Sequence, residues 1–290
     1  MRVLLTGGSG FLGSHIADAL SDAGHSVTIL DRQESPYLRR DQEFILGDIL
    51  DADLLIRLGA QADAIYHIAG LADINVAMHK PRETVEANII GTLNVLEAAR
   101  ENGVKRLLFA SSIYVYSNKG LFYRTSKQAG ENLIYDYQER YGLPYTILRF
   151  GSLYGPRSDE HNAVYRMFRQ ALTGGRIEYR GTGREVREYI NVLDAAKLSV
   201  AALGSAHENQ ILHLTGRERM TTREMLEMIN EIMGGRVELV FSDDTMTGHY
   251  VQTPYSYTPK LGRRISGETY IDLGLGLLDV LAHMDGADEH

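Results

Sequence analysis

The chain has 290 residues, a formal net charge of −8, 44% hydrophobic residues and no cysteine. That length can bury a large core in one large or two unequal domains. The lack of cysteine excludes disulfides, thiolate nucleophiles and cysteine zinc sites. The acidic balance argues against nucleic-acid or anionic-membrane partners. No apolar run reaches membrane-span length, and a first strand entered at residue 2 leaves no room for a signal peptide, so a cytoplasmic protein is expected.

Arg2 to Thr6 reads as a first strand, and Gly7-Gly-Ser-Gly10-Phe-Leu-Gly13 as a Gly-rich turn entering a helix from Ser14. Strand, turn and helix in this order make a dinucleotide-binding start. Gly7, Gly10 and Gly13 permit a tight turn, close approach of backbone to a pyrophosphate and close helix packing, while the helix N-terminus offers free N–H groups. Val27 to Asp31 is a second strand ending in an acid at the distance expected for ribose recognition. Asp31 would bond both ribose hydroxyls and repel a 2′-phosphate, which favours NAD over NADP; Arg32 beside it pulls the other way.

Further strands are expected at Phe44–Asp48, Ala64–Ala69, Arg106–Ser111 and Tyr145–Phe150. A long helical pattern opens at Pro81 and ends before Gly103, and another runs from Tyr123 to Tyr141 and stops at Gly142. Such alternation implies a doubly wound, Rossmann-type parallel sheet with helices on both faces. After Gly151 the rhythm breaks up, with short helices expected at 162–172, 192–203 and 221–233. The expected division is a dinucleotide-binding domain over 1–151 and a smaller α/β substrate lobe over 152–290, with the site in the cleft at the strand ends.

Tyr123 and Lys127 stand four residues apart in a helical pattern, so they share a face. An ammonium one turn from a phenol favours the phenolate, and the tyrosine pKa is expected to fall toward working pH. A tyrosine so tuned can move a proton while a nicotinamide accepts a hydride. An exposed helix with a half-buried tyrosine would carry the same spacing.

With these motifs the chain resembles the extended short-chain dehydrogenase/reductase superfamily, in its NAD-dependent sugar-nucleotide epimerase/dehydratase branch, to about residue 215. The turn with Gly7, Gly10, Phe11 and Leu12 resembles the family's cofactor loop. Gly47-Asp48-Ile49 resembles its adenine-contacting segment, and His67-Ile-Ala69-Gly70 the strand end that passes the cofactor. Asn88 resembles a helix asparagine that is mainly structural. Ser111-Ser112-Ile-Tyr-Val-Tyr resembles the serine-bearing strand end, with Ser111 one place too early to be the family serine. The segment around Ser152 resembles the substrate side, and that around Arg187 the arginine that holds the nucleotide diphosphate.

What the resemblance implies is a catalytic set of Ser112, Tyr123 and Lys127, with Lys127 also bonding the nicotinamide ribose. The implied cofactor set is Gly7, Gly10, Phe11, Leu12, Asp31, Arg32, Asp48, Ile49, His67, Ala69, Gly70, Ser111, Tyr123 and Lys127; the substrate set is Ser112, Tyr123, Ser152 and Arg187. No metal is expected. Ser112 could instead only cap the strand end, and Arg187 could only pair with Glu185 or Glu188 at the surface.

The implied activity is NAD-dependent 4-epimerisation of a nucleotide sugar, a UDP-sugar being favoured, through a transient 4-ketone. A sugar or sugar-acid dehydrogenase, a 4-keto reductase and a dehydratase are the alternatives. Dehydratases and decarboxylases of the family place acids after the serine, where this chain has Ile113 and Tyr114, neither suited to exchanging a proton there. The stretch from Ser112 to Tyr123 is short, and Ser152 replaces the family asparagine. A second phosphate-binding arginine has no clear match; His249, Tyr250 and Lys260 are the candidates to replace it, His249 otherwise reading as a surface residue. The family pairs its two long helices in a dimer seam, so a homodimer is expected.

Overall fold

A computed structural model of the chain describes residues 1–217, 219–242 and 248–255. In β1 (Arg2–Thr6), Val3 and Leu5 join one apolar cluster and Leu4 joins another. Successive strand side chains face opposite ways, so the strand is buried on both sides. This explains its unbroken apolar run. The chain continues through α1 (Phe11–Asp22), β2 (Ser26–Asp31), β3 (Gln42–Leu46), α2 (Ala52–Gly59), β4 (Ala64–His67), α3 (Ile74–His79) and α4 (Pro81–Val85). It then forms α5 (Gly91–Glu101), β5 (Arg106–Ser112), α6 (Leu121–Tyr141) and β6 (Tyr145–Phe150).

Beyond β6 come β7 (Ser152–Tyr154), α7 (Ala163–Gly174), β8 (Arg176–Arg180), β9 (Val186–Asn191), α8 (Val192–Ala201), β10 (Gln210–Leu214), β11 (Arg219–Thr221), α9 (Thr222–Ile232) and β12 (Glu238–Ser242). Among the described residues the main sheet has the order β10-β6-β5-β4-β1-β2-β3, all parallel. This is the doubly wound Rossmann-type fold. Strand order reverses between β1 and β4, which opens a crevice beyond their carboxyl ends. One cluster, with Ile16, Leu20, Ala195 and Ala196, covers one face through α1 and α8; the other, with Leu55, Val95, Leu96 and Ile134, covers the opposite face through α2, α5 and α6.

The seventh strand, β10, and the covering helix α8 come from beyond residue 151, so the first 151 residues do not supply the whole sheet layer. The later elements also build two small sheets, β11-β9-β7 and β12-β8, over a third cluster with Met167, Ile177, Leu226 and Ile229.

Local chemistry sets the boundaries. Asp51 caps α2, Asn162 caps α7, and Thr221 with Glu224 forms a capping box on α9. Gly142 ends α6 in the left-handed conformation. The strand expected at 44–48 lies two residues earlier, because Gly47 packs tightly on Leu54 and Leu30 and Asp48 turns back to accept from the Leu50 N–H. The long helix expected from Pro81 is interrupted by a π-turn over Glu86–Ile90. Asn88 sits in that turn and uses its amide outside the helix, donating to Ser126 Oγ at 2.9 Å and to the Leu71 carbonyl at 3.0 Å, and accepting from the Leu71 N–H at 2.7 Å.

Candidate active site

The residues after β1 form a cradle. Gly7 has φ +77, and a Cβ there would meet the Ala69 backbone nitrogen at 2.5 Å. A Cβ on Gly13 would lie 2.0 Å from the Gly7 carbonyl oxygen. Only glycine lets the loop, the start of α1 and the end of β4 approach this closely. Gly10 caps α1 without a side-chain bond, so the first N–H groups of the helix stay free for an anion. The buried Ser9 hydroxyl has no partner among the described residues. At the end of β2, Asp31 accepts from the Ser9 N–H at 3.0 Å and the Arg32 N–H at 2.7 Å, and each oxygen keeps lone-pair capacity for a ribose hydroxyl. Arg32 is exposed, and Asp48 is half-buried beside buried Ile49. A helix N-terminus with free N–H groups, a carboxylate at its rim and a buried hydroxyl without a described partner fit a dinucleotide.

His67 closes β4 but turns its ring into the protein. Nδ1 bonds Thr6 Oγ1 at 2.8 Å and Nε2 bonds Thr92 Oγ1 at 2.9 Å. Burial pushes the imidazole down to about 3, so it stays neutral and braces the sheet. Neither ring nitrogen is left for a ligand, whereas Ala69 and Gly70 follow at the lip of the cradle.

On α6, Tyr123 and Lys127 share a buried face. The Ser112 hydroxyl, at the end of β5, lies close enough to the phenol to favour its ionised form. Ser112 also caps the turn over Ile113–Tyr116, accepting from the Tyr114 N–H at 3.3 Å. Capping and substrate contact are therefore compatible roles. Lys127 Nζ donates to the Ala110 carbonyl at 2.7 Å and lies 5.0 Å from the Phe109 ring centroid. The expectation that Lys127 pulls the Tyr123 pKa down is corrected. Burial pushes the phenol up to about 12, the nearby Ser112 hydroxyl opposing it and Tyr250 adding to it. Burial pushes the ammonium down to about 8. Both groups are desolvated together, and the lysine places one of its three donors on the Ala110 carbonyl.

Arg187 on β9 is buried, and its guanidinium lies 4.3 Å from the Tyr250 ring centroid. The surface ion pair considered for it is absent. Glu185 accepts from Thr182 at 3.1 and 3.2 Å, while Glu188 faces Arg219 at 3.6 Å and accepts from the Tyr255 hydroxyl. Among the described residues Arg187 has no carboxylate partner, and its one bond is to the Val186 carbonyl at 3.0 Å. A buried cation without a counter-charge is costly unless an anion arrives.

His249 is not an ordinary surface residue. Its Nδ1 bonds the Tyr114 hydroxyl at 2.9 Å, and Tyr114 packs edge-on against Tyr123 with centroids 6.2 Å apart. Tyr250 packs on Tyr114 with ring centroids 4.5 Å apart, and Ser152 lies beside its hydroxyl. Thus Tyr114, Tyr123, Ser152, Arg187, His249 and Tyr250 converge, while Lys260 lies outside the described residues. The segment carrying His249 and Tyr250 is threaded between α6 and β9, with the Gly120 N–H donating to Gly248 O at 2.8 Å and the Val186 N–H to Val251 O at 2.7 Å.

The sequence pattern of the NAD-dependent epimerase/dehydratase family matches residues 3–214. The chain belongs to this family. Membership makes NAD its cofactor and places it among enzymes that act on nucleotide sugars. Its relatives carry different activities. A UDP-N-acetyl-alpha-D-glucosaminuronate decarboxylase of Bacillus cytotoxicus is 32% identical over 267 residues, 82% of each chain. A UDP-glucose 4-epimerase of Mycolicibacterium smegmatis is 31% identical over 267 residues, 83% of this chain and 85% of the relative. Among solved structures, the UDP-glucose 4-epimerase of Thermotoga maritima with UDP-glucose is similar with TM-score 0.81 and 27% identity, over 89% of this chain and 90% of that one. The Thermus thermophilus UDP-glucose 4-epimerase complex with NAD gives TM-score 0.79 and 29% identity, over 91% and 95%.

Asp31 makes the cofactor choice testable within this family. Asp31→Ala is expected to weaken NAD binding about tenfold, the value of one charge-assisted hydrogen bond, and to narrow the gap to NADP. Calorimetric titration with both cofactors checks this. Tighter binding of NADP by the unaltered protein would contradict it.

Proposed function

We propose that the protein catalyses NAD-dependent 4-epimerisation of a nucleotide sugar, with a UDP-sugar as substrate. The observation that carries this reading is the meeting of Ser112 and Tyr123 at the end of β5, with Lys127 one helical turn away and no carboxylate following Ser112. The C–H at C4 of a sugar alcohol is not acidic, so inversion there requires oxidation and re-reduction. When bound, NAD would supply a reversible hydride acceptor for C4, and its positive charge would favour the Tyr123 phenolate.

This chain's own residues do the rest. The cradle around Gly7 and Gly13 and the free end of α1 take the pyrophosphate, and Asp31 takes the adenosine ribose. Lys127 bonds the nicotinamide ribose. Ser112 orients the C4 hydroxyl, and Tyr123 removes its proton and restores it after the sugar has turned. Arg187 anchors the diphosphate during that turn, with its charge unspent on any described carboxylate. Tyr250 and His249 complete the wall in place of a second arginine. The substrate lobe is drawn mainly from 152–290, with β10 and α8 returning to the main sheet. Val85, Ile90 and Phe122 stay exposed on the two long helical segments, which supports a homodimer seam there.

A second reading is favoured by the Tyr114–His249 hydrogen bond, which, against the expectation that Tyr114 is unsuited to proton exchange, gives that tyrosine an imidazole partner next to Tyr123. That couple suits a reaction continuing from the 4-ketone, such as decarboxylation or loss of water. Product analysis with UDP-, GDP- and dTDP-sugars separates the two. Epimerisation predicts a C4-inverted nucleotide sugar and no net NADH. Carbon dioxide release, a 4-keto-6-deoxy product or steady NADH build-up would contradict it.

A further inference from the structure

The buried polar groups that this chemistry leaves unused converge on one carboxylate. Tyr123, Lys127 and Glu131 follow at four-residue steps along α6, one per turn of a single face. Glu131 and Arg149 form the one ion pair among the described residues whose side chains are both under a tenth exposed, at 5% and 9%. Arg149 Nε donates to Glu131 Oε1 at 2.9 Å and Nη2 to Oε2 at 2.5 Å. The Ser111 hydroxyl donates to Oε1 at 2.5 Å and the Tyr135 hydroxyl to Oε2 at 3.3 Å. Four donors from α6, β5 and β6 thus hold one carboxylate in a single place.

Stability alone does not explain such a pair, because well-packed apolar residues commonly replace a buried ion pair without loss. Lys127 supplies the reason. It is 5% exposed, and among the described residues no carboxylate lies within ion-pair distance of it. The titratable groups facing it are Tyr123 and Glu131 on its own helix and His67 on β4, while β5 offers only the Ala110 carbonyl and the Phe109 ring. His67 is neutral and Tyr123 is protonated, so Glu131 is the negative charge in this set, and it opposes the burial that pushes Lys127 down. Arg149 on β6 is engaged with the carboxylate itself and with the Tyr116 hydroxyl.

We propose that Glu131 is a positioning residue of the cofactor site: its carboxylate, clamped by Arg149 and Ser111, is the counter-charge that keeps Lys127 an ammonium for the nicotinamide ribose. The proposal rests on the reading of Lys127 given above. Removing the counter-charge should let burial win, and the ammonium should be lost at lower pH.

The test is NAD binding by calorimetry from about pH 6 to about pH 9, a range that brackets the lysine. Glu131→Gln removes the charge but strands Arg149, which can cost the fold. The double variant Glu131→Gln/Arg149→Met carries no stranded charge and is the deciding protein. The unaltered protein should lose NAD affinity as pH rises through about 8, and Lys127→Met should bind weakly without that limb. In the double variant the limb should move down by about one pH unit, making NAD binding near the original midpoint about fivefold weaker. A limb in the same place as in the unaltered protein overturns the proposal, as does a limb that persists in Lys127→Met. Because this titration needs neither sugar nor turnover, it fails separately from the epimerase reading. NAD affinity unchanged in Lys127→Met would sink the ribose role itself.

Discussion

Tyr123→Phe is expected to fold and to bind NAD, yet to lose turnover by about 10²–10⁴, the usual worth of general acid–base catalysis. The ring packs edge-on against Tyr114, and phenylalanine keeps that contact. What goes is the hydroxyl that lies beside the Ser112 side chain. The high resting pKa of the phenol sharpens the expectation. A group held at about 12 by burial carries no phenolate near neutral pH, so ionisation must come with the arrival of positive charge from the cofactor. The pH–rate profile of the loaded enzyme should therefore be limited by a group well below 12. Lys127→Met should lower turnover by loosening the nicotinamide ribose. Turnover of Tyr123→Phe at the unaltered rate would make α6 scaffold only.

Arg187→Ala is expected to weaken nucleotide-sugar binding by about 1.5–3 kcal/mol, the range for a charge-assisted hydrogen bond, or roughly 10- to 150-fold in affinity. NAD binding should change little, because Arg187 lies on β9 of a small sheet whereas the cofactor cradle follows β1. Arg187→Lys should recover only part of the loss, since an ammonium cannot fork onto phosphate oxygens. Titration with UDP alone and with a UDP-sugar measures this directly. Unchanged affinity together with a lowered melting temperature would show a structural arginine stacked on Tyr250.

The features legible in the sequence were those whose partners lie close along the chain. The Gly-rich turn, Asp31 after the next strand and the Tyr123/Lys127 step each combine residue type with local spacing. The strict alternation of apolar segments gave the parallel sheet through β6. What escaped were contacts made by the long crossovers. His249 meets Tyr114 across 135 positions, and no periodicity relates them. Glu131 looks like an ordinary helix carboxylate until Arg149 and Ser111 arrive from β6 and β5. β10 reads as a short apolar stretch in the second half, and only pairing with β6 makes it part of the main sheet. The direction of the Tyr123 shift is hidden from the sequence for a related reason. Spacing gives the distance between phenol and ammonium, but desolvation depends on everything packed around both.

The most direct measurement follows the hydrogen at C4. UDP-hexoses and UDP-uronic acids carrying deuterium at C4 would be incubated with the NAD-loaded protein in ordinary water, and the product examined by nuclear magnetic resonance. The account predicts a C4-inverted product that keeps its deuterium, because the same hydrogen leaves and returns within the site. Inversion with deuterium lost to solvent, or turnover of a UDP-sugar without inversion at C4, would contradict it.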